Sequence, residues 1–111
     1  LEEARKAFRL GMYSACVIMG YTAMFHAARA LLYKDGVQEK SHKCLAIYLR
    51  EKYSGRIPLS LINAFDAYRV ERHEVIYGIE FTPTVEDCES ILEDAEKLIK
   101  QVEKLLKKEE G

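Results

Sequence analysis

The stretch Ala67-Tyr68-Arg69-Val70-Glu71-Arg72-His73-Glu74-Val75-Ile76-Tyr77-Gly78 gathers two arginines, a histidine and a tyrosine. Arginine grips phosphate through a planar fork and stays charged at any working pH. Histidine moves protons near neutrality, and tyrosine donates a hydrogen bond or stacks on a base. Together these types point to phosphodiester binding or cleavage. Arg72 is the pivot. At about 100° per residue, Leu61, Phe65, Tyr68, Val75 and Ile76 share one helix side, and Arg72 falls near the middle of it. An unpaired guanidinium there costs more than one helix face recovers, and leucine is the ordinary occupant. Arg72 therefore has either a dedicated carboxylate partner or a groove that receives an anion. Arg69 lies at the stripe's edge, His73 and Asp66 flank it on that side, and Tyr77 is further round. Glu71 and Glu74 point to solvent.

A second candidate is Glu39-Lys40-Ser41-His42-Lys43. Ser41 suits a helix N-cap, and the free N–H groups and positive dipole end behind it favour anions. Lys40, Ser41 and His42 add charge or donors, so a phosphate fits this corner; a capped helix with a solvated rim fits it equally. His26 and Arg29, three apart on an apolar helix, read as groups hydrogen-bonded within the core. The three histidines form no credible metal site, and neither a Ser/His/Asp constellation nor a phosphate-binding glycine loop is present, so no metal or cofactor is expected.

Five helices have to position these residues. Leu1 to Leu10 is amphipathic, with Ala4, Ala7, Phe8 and Leu10 inward, and Gly11 breaks it. Met12 to Tyr33 is apolar nearly all round, which predicts the most enclosed element, ended by Asp35-Gly36. Ser41 opens a third helix to about Tyr53. Pro58 suits the first turn of a fourth, from about Leu59 to Gly78. Thr84, with Asp87 three residues on, caps the fifth. In that helix Cys88, Leu92, Ala95, Ile99, Val102 and Leu106 form a stripe that Ile91, Leu98 and Leu105 widen, and Lys107 and Lys108 suit its C-terminal dipole. The pattern is an all-α, antiparallel up-and-down bundle of four to five helices in a single domain, residues 1–111.

The totals agree. With 111 residues, 49% hydrophobic, one core is expected, and a net charge of −1 gives no global basic field for nucleic acid. The distribution is polarised: Arg29 to Arg56 holds seven Lys/Arg against three Asp/Glu, whereas Ile79 to Gly111 holds five Lys against ten acids. Cys16, Cys44 and Cys88 are odd in number and widely spaced, which points to a reducing, cytoplasmic setting. Gly11 to Leu32 is apolar enough to raise a membrane span, but His26, Arg29 and the missing aromatic belt favour the central helix of a soluble bundle. The chain opens on Leu1 rather than Met, so upstream residues are expected.

The order Met12-Tyr13-Ser14-Ala15-Cys16, Gly20-Tyr21-Thr22-Ala23-Met24-Phe25-His26-Ala27-Ala28-Arg29-Ala30-Leu31-Leu32, Lys40-Ser41-His42 and Arg72-His73-Glu74-Val75-Ile76-Tyr77-Gly78 resembles the HEPN superfamily (higher eukaryotes and prokaryotes nucleotide-binding). It is most similar to the small stand-alone prokaryotic members of uncharacterised function. The resemblance implies an antiparallel helical bundle, a homodimer, and RNA or nucleotide in the cleft between two copies. It also implies metal-independent endoribonuclease activity in many members, and a small nucleotidyltransferase beside minimal members as toxin–antitoxin pairs. The family signature is an arginine, four to six residues, then a histidine. Arg72 takes the arginine position, but Tyr77 stands where the histidine belongs, and His73 follows too closely to replace it. Three readings follow: an RNA- or nucleotide-binding module around Arg72 and Tyr77, an active endoribonuclease toxin with His73, His42 or Tyr77 handling protons, and a structural adaptor.

Overall fold

The computed structural model describes residues 1–38, 41–78 and 82–110, with side chains to Lys107. It has five helices: α1 (Glu2–Arg9), α2 (Tyr13–Lys34), α3 (His42–Lys52), α4 (Leu59–Ile76) and α5 (Val85–Glu110). No strand occurs among the described residues, so the all-α bundle stands.

The boundaries follow local chemistry. Gly11, Gly36 and Gly78 all have positive φ, at 73°, 74° and 68°, and each sits just past a helix end, where only glycine turns the chain without strain. The Ser41 hydroxyl accepts the Cys44 N–H at 3.1 Å and caps α3. Thr84 and Asp87 form a reciprocal capping box: the Thr84 N–H donates to Asp87 Oδ2 at 2.8 Å, and the Asp87 N–H donates to Thr84 Oγ1 at 3.2 Å. Pro58 sits one place earlier than expected, at the N-cap of α4. Lys40 and the side chain of Lys108 lie outside the described residues.

α2 is the central element and packs against all four other helices. Its 18-residue apolar window, of mean hydropathy 1.4, meets the length and composition of a membrane span. Here Cys16, Val17, Gly20, Tyr21, Met24, Ala28, Leu31 and Leu32 turn into the bundle. Gly20 lets α5 close on α2, because a Cβ there would sit 3.2 Å from two side-chain carbons of Ile91. The enclosure is one-sided, however. Met19, His26, Arg29 and Tyr33 are exposed. His26 and Arg29 are therefore not core groups: His26 lies about 200° round from both Met24 and Ala28, which face inward.

Two other expectations shift. The buried line of α5 is Cys88, Ile91, Ala95, Leu98, Val102 and Leu105, with Leu92, Ile99 and Leu106 at its margin. Leu10 is 64% exposed, because α1 ends before it. The buried Cys16 and Cys88 behave as small hydrophobes, whereas Cys44 is exposed.

Candidate functional site

The inner face of α4 buries Leu61, Ile62, Phe65 and Tyr68, and Val75 packs partly against the core. Arg72 continues that line. The residue is half-buried, and its Nε is sealed from solvent with no hydrogen-bond partner. Its guanidinium carbon lies 5.7 Å from the centre of the Tyr21 ring, in range for a cation–π contact. No carboxylate pairs with it among the described residues.

Neighbouring cations differ. Arg69 Nε donates to Asp66 Oδ1 at 3.0 Å, and Arg50 Nη2 reaches Asp66 Oδ2 at 4.0 Å and donates to Asn63 Oδ1 at 3.1 Å. The Asp66 carboxylate thus neutralises the α3–α4 rim and leaves Arg69 occupied. Glu71 is half-buried rather than solvated; burial, then the Asp87 and Glu74 charges, push its carboxyl above the usual range. Glu74 is half-buried as well.

Sequence reasoning does not reach Tyr21, which is fully buried at the centre of the site. Its ring stacks on Phe65 (5.3 Å between centroids, 10° between planes), and its hydroxyl lies 2.9 Å from His42 Nδ1. Burial is the main influence on the phenol; Arg72 and then Arg69 oppose it, yet the pKa is pushed up to about 12. His42 also stacks on Phe25, with centroids 4.1 Å apart and planes 11° apart. Arg29 lies 5.8 Å from the Phe25 ring centre. A ladder of rings therefore runs from Arg72 on α4, through Tyr21 on α2, to His42 at the start of α3. One clue in the sequence is a tyrosine in the middle of an apolar helix, since a buried phenol needs a partner for its hydroxyl.

The structure thus gathers Arg72, His42 and the Ser41 cap around Tyr21. It sends Tyr77 and His73 elsewhere: their rings pack on one another at 4.5 Å, and Tyr77 is 68% exposed at the end of α4. A groove of about 740 Å³ lies apart from all of them, between the start of α4 and α5; Leu61, Ala64, Lys97, Lys100 and Lys104 are among its lining residues, and Arg72 is not. No cluster of His, Cys, Asp and Glu able to hold a metal ion occurs among the described residues.

Chemically, the site offers a half-buried guanidinium with its Nε sealed from solvent, an aromatic floor and an imidazole, a combination suited to an anion. Comparison with known proteins agrees with that chemistry. Over 85 residues the chain is 38% identical to a UPF0332 protein of Archaeoglobus fulgidus, a match that covers 71% of this chain and 64% of that relative. The HEPN domain model matches residues 1–105, which supports a nucleotide- or RNA-related role at the level of the family. A match over nearly the whole chain, on a five-helix bundle, places this protein in the HEPN domain family.

Proposed function

We propose that this HEPN protein binds the phosphate of an RNA or nucleotide at Arg72, in a cleft completed by a second copy of the chain. One observation carries the reading: an arginine half-buried on the apolar face of α4, its Nε desolvated and no carboxylate paired with it among the described residues. Such a group is poorly stabilised within one protomer, and an anion brought to it forms a charge-assisted fork where solvent screening is weak. The α3 N-terminus supplies a second positive end nearby. A second copy is supported by the uncovered side of α2, where Met19 and Tyr33 are exposed.

Tyr77 stands in the motif histidine's position, and a phenol of ordinary pKa about 10 is a poor base at neutral pH. Binding without turnover is therefore the activity we assign. A cytoplasmic setting rests on cysteine usage, and a nucleotidyltransferase partner on family resemblance alone.

The test is labelled single-stranded RNA mixed with the purified chain in the presence of a chelator, followed both by gel and by anisotropy. Binding without cleavage, lost in Arg72→Ala, supports this reading. Cleavage lost in the same variant makes the protein a metal-independent ribonuclease instead. An Arg72→Ala protein that no longer dimerises, from a parent that binds no RNA, makes it a structural adaptor.

A further inference from the structure

The groove between the start of α4 and the second half of α5 has no part in the Arg72 site. Its α4 wall offers Leu61, which is buried, and Ala64, which is half-buried. Its α5 wall carries Lys97, Lys100, Lys104 and Lys107. We propose that this groove docks an acidic amphipathic helix of a partner protein, with the partner's apolar face on Leu61 and Ala64 and its carboxylates along the lysines. The docking site stands independently of Arg72.

The lysines are concentrated against the local trend. Residues 79–111 hold five Lys against ten acids, yet four of those five lysines line this one groove. Their spacing of three, four and three makes each a helix neighbour of the next, and like charges so placed repel. Lys97 and Lys100 have local compensation: they pair with Glu93 at 3.0 Å and Glu96 at 2.8 Å. Lys107, in the last turn, suits the helix dipole. Lys104 has neither. Four residues before it stands Lys100, three after it stands Lys107, and no ion pair reaches it among the described residues. Against the four lysines the groove sets only Asp94 and Glu103, and Asp94 already accepts the Tyr68 hydroxyl.

This basic edge beside an apolar floor complements a helix with carboxylates flanking an apolar face. From Lys97 to Lys107 is about 15 Å of helix, so a partner helix of about three turns matches it. The lining favours a peptide over RNA. None of the described lining residues is aromatic, so a base finds nothing to stack on, and Asp94 and Glu103 would face a continuous phosphate backbone.

The test titrates the full ¹⁵N-labelled chain with a fluorescein-labelled helical peptide of about fourteen residues, leucine and alanine on one face and glutamate on both flanks. Amide signals of Leu61, Ala64 and the second half of α5 should shift, and anisotropy should saturate below about 1 mM peptide. Lys100→Glu with Lys104→Glu, both at exposed positions, should weaken binding about tenfold. Should that pair unfold the chain, Lys100→Gln with Lys104→Gln carries the same test, with a loss of about threefold. The same peptide with lysine in place of glutamate should bind the parent at least tenfold more weakly. No binding by about 1 mM overturns the docking site, as do equal binding of the lysine-flanked peptide, shifts confined to other helices, or an affinity indifferent to both double variants. Single-stranded RNA that shifts these same signals makes the groove a nucleic-acid track and overturns it too. Loss of RNA binding in Arg72→Ala bears on the earlier reading only.

Discussion

Replacing Arg72 with leucine should make the protein more stable and less able to bind RNA. The Nε–H of Arg72 has left water and found no acceptor, an omission that costs about 1–3 kcal/mol for a buried polar group. The guanidinium recovers roughly 0.5–1 kcal/mol from the Tyr21 ring at 5.7 Å. Half-burial of the residue keeps the first figure near its lower end. Leucine retains the apolar cover that the arginine stem provides and extends the line of Leu61, Phe65 and Tyr68. The expected net gain is about 1 kcal/mol, which for a chain of 111 residues raises Tm by about 4 °C.

Urea unfolding followed by far-ultraviolet circular dichroism reads this directly, as a higher midpoint at unchanged slope. The same preparation should bind labelled RNA more weakly than the parent. The decisive contrary result is a leucine variant destabilised by more than about 1 kcal/mol at unchanged slope, the mark of an arginine that already has a structural partner. A cation kept at a cost to stability is the pattern expected of a binding site, where function and stability pull apart.

Three further outcomes test the rest of the structure. Tyr21 is held near 12 by burial against an ordinary value near 10, so the unfolded chain releases that proton first. Unfolding is then favoured as pH climbs from 10 toward 12, by up to about 1.4 kcal/mol per pH unit for this tyrosine, and the contribution is intact below pH 10. Urea midpoints at pH 9, 10 and 11 should fall accordingly, and less steeply in Tyr21→Phe; parallel slopes in the two proteins refute the assignment. Thr84→Ala removes half of the α5 capping box and should cost about 1 kcal/mol in urea unfolding, whereas an unchanged midpoint means the box contributes nothing. Gly20→Ala should destabilise despite alanine's better helix propensity, because the new methyl meets Ile91 at 3.2 Å. A double-mutant cycle with Ile91→Ala should show that clash relieved, and strict additivity would refute it.

The helices were legible because each announces itself over a short span. Gly11, Gly36 and Gly78 mark exits, Ser41 and Thr84 mark entries, and the 3–4 spacing of apolar residues in α5 marks a buried face. The errors arose where a face, rather than an element, had to be chosen. α2 is so uniformly apolar that periodicity does not orient it, so His26 and Arg29 read as core when they lie on the outside. In α5 the buried line runs through Ile91, Leu98 and Leu105, which the pattern placed at the margin, because every candidate line there is apolar. Arg72 was legible as an anomaly against Leu61, Phe65 and Tyr68. Its relation to His42 was not, because it depends on how α3 crosses α2: the Tyr21 hydroxyl and His42 are 21 residues apart, and no local spacing encodes a contact between two helices.

The contrast between Arg72 and its neighbours is the strongest argument that the anomaly has a purpose. Where this fold needs a cation for structure it supplies a carboxylate: Asp66 for Arg69 and Arg50, Glu2 and Glu96 for Arg5, Asp35 for Lys34. These pairs are exposed or half-exposed, so each contributes little, and most are replaceable. Arg72 is the reverse case: it is half-buried on the apolar face of α4, its Nε is sealed without an acceptor, and it is faced by a neutral ring. A phenol held near 12 does not become the missing anion at neutral pH. Among the described residues no carboxylate answers Arg72, and the proposed phosphate would present oxygens that its guanidinium fork fits.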